Sequence, residues 1–129
     1  MPLSPARTMR WCVLAAALVV QFAVLYLPQT PGPEVTIPGA DKAVHLAVFA
    51  LVTVAGLAAG LRRALVVGYG LGHAVLSEIV QHLVLADRTG DVFDAIADAA
   101  GVLLVTAVVS VWRSRSAGGR TGPGRSARR

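Results

Sequence analysis

The sequence predicts an all-α membrane protein, a bundle of four transmembrane helices with both termini cytoplasmic (N-in/C-in) and a disordered basic C-terminal tail. Three observations predict it. Four apolar runs of membrane-spanning length occupy most of the 129 residues. Charged residues make up only 15% of the chain, against about 25% in an ordinary soluble domain. The cationic residues, 11 Arg and 1 Lys, divide unevenly between alternate connections.

The runs are Trp11 to Leu27, Val44 to Leu61, Ala64 to Leu85 and Val92 to Trp112. Crossing a hydrocarbon core of about 30 Å takes roughly 17–25 helical residues. Four such runs are hard to bury in a soluble core this small, and within lipid a helix satisfies its own backbone. With flanking polar residues included, helices are expected at about 11–27, 42–61, 64–85 and 91–112. Residues 11–112 form the transmembrane domain, 1–10 a cytoplasmic N-terminus and 113–129 the tail.

The first run follows Arg7 and Arg10, as a secretory signal would. It ends Tyr26-Leu27-Pro28-Gln29-Thr30 with no small-residue cleavage pattern, so the helix is expected to be retained. Pro28 to Ala40 carries four prolines and reads as a loop. Leu61-Arg62-Arg63 reads as a tight turn, and Ala86 to Asp91 as a second loop on the side of the first. From Ser114 the chain is largely Arg, Ser and Gly, a composition that builds no core. Its arginines suit anionic lipid; no aromatic is interleaved with them, and no nucleic-acid partner is expected. Cys12 is the one cysteine, which excludes an intramolecular disulfide.

With the N-terminus cytoplasmic, ten arginines fall on the inner side, and only Lys42 and Arg88 on the outer side. That split fits the positive-inside rule and the plasma membrane as location.

Polar residues gather toward the outer face. Asp41, Lys42 and His45 open the second helix. Ser77, Glu78, Gln81 and His82 lie near the outer end of the third, and Arg88, Asp94 and Asp98 run from the second outer loop into the fourth. At 100° per residue, Asp41 and His45 share a helix face. From the rise per residue, Glu78 lies about 10 Å and Asp98 about 9 Å inside. Intramembrane ionisable residues are candidates for function. His45, Glu78, Arg88, Asp94 and Asp98 are expected to converge, with the Arg88 guanidinium gripping Glu78. Gly56-x3-Gly60 and Gly68-x3-Gly72 read as close-packing patterns. Lys42 snorkelling to the interface and Asp41 acting as a helix N-cap are the plainer readings of those two residues, and His73 reads as a packed histidine.

Taken together, Asp41-Lys42-x2-His45-x3-Phe49, Ser77-Glu78-x2-Gln81 and Arg88-x5-Asp94-x3-Asp98-x2-Gly101 form a pattern. It resembles the VanZ-like family of small bacterial membrane proteins, over roughly Asp41 to Gly101. The sequence departs from that family at Asp98, where Asn is usual. The resemblance implies a four-helix envelope protein. The family takes its name from a protein associated with resistance to the glycopeptide teicoplanin, and the resemblance supplies neither a reaction nor a substrate.

Three functions compete. The leading one is a binding or accessory protein. Its partners are membrane lipids, with a cell-wall precursor or glycopeptide-like ligand at an outer pocket of Asp41, Lys42, His45, Ser77, Glu78, Gln81, Arg88, Asp94 and Asp98. The second is an enzyme acting on a lipid-linked substrate, with His45 and Glu78, Asp94 or Asp98 as acid and base and Ser77 with His82 as a nucleophile and base. The third is an ion-pair network that only braces the bundle. His45, Glu78 and His82 come nearest to a ligand set, but no H-E-x2-H motif occurs; neither metal nor cofactor is expected. Transport is disfavoured, because the inner halves of the spans lack charged groups.

Overall fold

A computed structural model describes residues 4–27, 37–85 and 91–118. It contains helices α1 (Pro5–Tyr26), α2 (Ala40–Ala58), α3 (Arg63–Val84) and α4 (Val92–Gly118), and among the described residues no strand. All four helices are long and apolar enough to cross a membrane, the pattern of a multi-pass membrane protein.

Each helix end has a local cause. α1 starts at Pro5 rather than near residue 11, because Pro5 sits in the first turn, where its missing N–H costs nothing. α2 is preceded by Gly39 at φ 79°, so Gly39 and not Asp41 is the N-cap; a left-handed residue there favours glycine. α2 ends at Ala58, short of residue 61. Gly60 turns left-handed at φ 87°, its N–H bonds to Leu57 O, and the N–H of Leu61 bonds to Gly56 O. That pair of bonds is a Schellman motif.

The stretch 113–118, expected in the tail, belongs to α4. Ala and Arg favour helix, and Ser114 and Ser116 donate back to the Val111 and Trp112 carbonyls. The rest of the tail lies outside the described residues.

α2 is the centre of the bundle and packs against α1, α3 and, most extensively, α4. Leu25, Val48, Phe49, Ala74 and Val102 form one buried cluster, and Leu14, Ala17, Val52 and Ala55 a second. Buried Thr53 and Thr106 donate to the carbonyls of Phe49 (2.8 Å) and Val102 (2.7 Å), so neither hydroxyl is stranded. Large apolar side chains such as Val19, Leu83, Phe93 and Leu104 face outward, as a lipid-facing surface requires.

The close-packing glycines are not the expected ones. Gly68 and Gly72 have open space where a side chain would stand, and Gly60 serves the turn. Of the two motifs only Gly56 packs inward, against Val66. The tightest approaches are at Gly70, whose added Cβ would lie 2.6 Å from Val102, and at Gly101, where it would run into the Leu46 carbonyl. A spaced pair of glycines marks a flat helix face, but not whether that face meets a helix or lipid.

Candidate functional site

The first residues of α2 and α4 and the last of α1 and α3 lie at one end of the bundle. α2 and α4 run in the same direction, so side chains near their N-termini meet in order: Lys42 with Asp91 and Asp94, then His45 with Asp98. Gly101 makes this pairing possible, because it lets α4 lie against the α2 backbone at Leu46 and Ala50.

Lys42 organises the rim. Its Nζ donates to Asp41 Oδ2 (2.9 Å), Asp91 Oδ2 (3.0 Å) and Asp94 Oδ1 (3.1 Å). Asp91 also caps α4, its Oδ1 accepting the N–H of Phe93 at 2.9 Å. The Phe93 N–H foremost, and then the Lys42 ammonium, hold the Asp91 carboxyl below its ordinary range. Asp41 lies in the first turn of α2, where the helix dipole favours an anion.

Below the rim lies a trio, with His45 and Asp98 buried and Glu78 half-buried. His45 Nδ1 and Asp98 Oδ1 are 3.1 Å apart, and Asp98 has no solvent exposure. Glu78 comes from α3, and its Oε2 accepts the backbone N–H of Asp91 at 2.8 Å. One ligating atom from each of His45, Glu78 and Asp98 can be chosen such that all lie within 4.8 Å of one another. Glu78 Oε1 and Asp98 Oδ2 are buried and, among the described residues, have no hydrogen-bond partner. Buried carboxylate oxygens are rarely left so.

Glu78 also borders a groove of about 430 Å³ between α3 and α4, lined otherwise by Val75, Ile79, His82, Leu83, Val92 and Ala95. The groove is apolar, and Glu78 joins it to the trio.

Of the residues predicted from sequence, Asp41, Lys42 and Asp94 thus form the rim, and His45, Glu78 and Asp98 the trio. Ser77 and Gln81 do not join them. Ser77 Oγ donates to Ala74 O within its own helix at 3.0 Å. Gln81 Nε2 donates to Leu25 O at 3.0 Å, satisfying a carbonyl in the last turn of α1. Both are buried and turned toward backbone, which leaves no basis for the Ser77–His82 nucleophile pair. Arg88, and with it the expected grip on Glu78, lies outside the described residues.

Two sets of contacts were not foreseen. Asp91 supplies the backbone N–H for Glu78 and a carboxylate for Lys42. Deeper in the bundle, His73 sits among Phe22, Tyr26, Phe49 and Tyr69, with ring centroids 5.1 to 6.0 Å away. Tyr69 donates to Gln21 Oε1 at 2.9 Å, so toward His73 Nδ1, 3.3 Å away, its oxygen is left to accept. In the neutral ring His73 Nε2 then accepts from Tyr26 at 3.0 Å.

Comparison of the chain with models of protein families, with curated proteins and with solved structures finds no match.

Proposed function

We propose that this chain is a VanZ-like protein of the bacterial cell envelope, oriented N-in/C-in, that binds a lipid or lipid-linked molecule at the outer end of its bundle. A cell-wall precursor or a glycopeptide-like molecule with a lipid tail falls within that class. The observation that carries the reading is the position of Glu78. It belongs to the trio and lines the apolar groove of α3 and α4, so one ligand can lay a chain along Ile79 and Leu83 while its polar head meets the carboxylates. A network that only braced the bundle would satisfy its own oxygens; Glu78 Oε1 and Asp98 Oδ2 have no partner among the described residues. The described charges at this end are Asp41, Glu78, Asp91, Asp94 and Asp98 against Lys42, so the head is taken through positive charge or hydrogen-bond donors.

One observation favours an enzymatic variant of this reading. The buried His45–Asp98 pair, 3.1 Å apart, is an imidazole oriented by a carboxylate, the arrangement of a general base.

The test is native mass spectrometry of the full chain extracted from membranes into mild detergent. Wild type should retain a lipid-sized adduct, and Leu83→Trp, which fills the groove, should lose most of it. Equal retention by both proteins would sink the reading.

A further inference from the structure

We infer that His45, Glu78 and Asp98 form a binding site for one divalent transition-metal ion, of the zinc or manganese kind. The inference rests on the site proposed above and names the positive group held there.

The donors come from three helices and are of mixed kind, an imidazole nitrogen and carboxylate oxygens. Imidazole suits zinc and its neighbours better than magnesium or calcium, and the absence of thiolate from the set speaks against copper(I). An ion held at about 2.0–2.2 Å by such donors needs them roughly 3–4 Å apart. The atoms already lie within 4.8 Å of one another.

Asp98 is wholly buried, and its Oδ2 has no partner among the described residues. Glu78 Oε1, from a different helix, is buried and unpartnered as well. Two neighbouring oxygens in this condition point to a shared group that supplies positive charge to both. Among the described residues at this end the one lysine or arginine is Lys42, and its Nζ is given to Asp41, Asp91 and Asp94. A divalent ion balances the charges of Glu78 and Asp98 where lipid and protein screen them poorly. The Asp91 N–H on Glu78 Oε2 orients that carboxylate, as groups behind metal ligands commonly do. An ion here also gives the acidic end a way to hold an anionic headgroup such as a phosphate.

The full chain, purified in detergent and stripped with chelator, is titrated with Zn²⁺ and with Mn²⁺ by calorimetry. Bound metal is counted by plasma mass spectrometry. One ion per chain is expected for at least one of the two metals. Asp98→Asn and Glu78→Gln, both close in shape to the native side chains, should weaken binding by roughly 100-fold or more. Thr8→Ala, exposed near the start of α1 at the other end of the bundle, should leave it unchanged. Pulsed electron paramagnetic resonance of Mn²⁺-loaded wild type needs no variant to fold, and should report one coupled imidazole nitrogen. The inference is overturned if neither metal binds saturably, by full affinity in Asp98→Asn, by loss in Thr8→Ala, or, where Mn²⁺ binds, by a spectrum without nitrogen coupling. Lipid adducts scored on the same preparations separate the two proposals. Lipid retained without metal removes the ion and leaves the lipid reading; metal without lipid does the reverse.

Discussion

Lys42 and His45 lie one helical turn apart on α2, and each faces carboxylates, yet the two groupings differ in kind. The Lys42 ammonium has three carboxylate partners at 2.9 to 3.1 Å, and the side chains of Asp41, Lys42 and Asp91 reach solvent. His45 and Asp98 are buried, and two carboxylate oxygens of the trio lack partners among the described residues. The rim is a closed set of charges and the trio an open one. The same residue types therefore serve as a clamp where water reaches them, and as a candidate binding site one turn deeper. Exposed ion pairs add little stability because water competes for both partners. Breaking a buried pair strands the remaining charge.

The largest expected effect follows from that difference. With chelator present, so that no ion compensates, His45→Ala should cost about 3–5 kcal/mol of folding stability, because Asp98 is left alone in the bundle. Adding Asp98→Leu should recover part of the loss. Lys42→Met should cost less, since Asp41 and Asp91 can turn to water. Thermal unfolding in detergent measures all four proteins. A Lys42→Met loss as large as that of His45→Ala would erase the distinction between rim and trio.

Both groupings depend on how closely α4 approaches α2, and Gly101 is the test. An added Cβ there meets the Leu46 carbonyl and the Ala50 amide nitrogen, and backbone cannot step aside as a side chain can. Gly101→Ala should cost about 3 kcal/mol, the upper part of the range for overpacking, and should disturb rim and trio together. Gly68→Ala meets nothing within 4 Å and should be neutral or stabilising, because alanine is the better helix former. Equal losses from the two variants would show that the α2–α4 contact is looser than its geometry indicates.

The trio was legible in the sequence because charge in an apolar span is conspicuous. Glu78 and Asp98 stood out by rarity, their depths followed from the helical rise, and helix direction carried them to the same end. The aromatic surroundings of His73 were not legible, because Gln21, Tyr26 and Tyr69 are neutral and two of the three come from a different helix. Nothing in a single apolar span says which neutral polar group will meet which. Ser77 and Gln81 were placed with the trio because angular position gives the face of a helix and not the reach of its side chain; both turn to backbone carbonyls instead. The family resemblance pointed to Gly101 but not to its contact, whereas the GxxxG spacing pointed to Gly68 and Gly72, which face open space. Asp91 was read as the end of the second loop, because its cap and its backbone bond to Glu78 depend on how α4 begins beside α3.

The smallest effect belongs to Asp91, and it sharpens the comparison by acidity. Asp91 precedes α4 and is held below its ordinary range by the Phe93 N–H and the Lys42 ammonium. A carboxyl whose folded pKa is depressed contributes stability above its unfolded pKa and loses it as pH falls through the folded value. Asp91→Asn keeps an N-cap side chain, since asparagine caps about as well as aspartate, and removes only the charge. Wild type should therefore be slightly the more stable above about pH 5, clear of the ordinary Asp range near 4. The gap should narrow as acid protonates Asp91 and makes the two side chains electrically alike. Other carboxylates titrate in both proteins, so the difference between their thermal midpoints, followed from pH 7 downward, isolates this one. A gap that stayed constant as acid was added, or that widened, would mean that the Asp91 charge is not what joins the cap of α4 to Lys42.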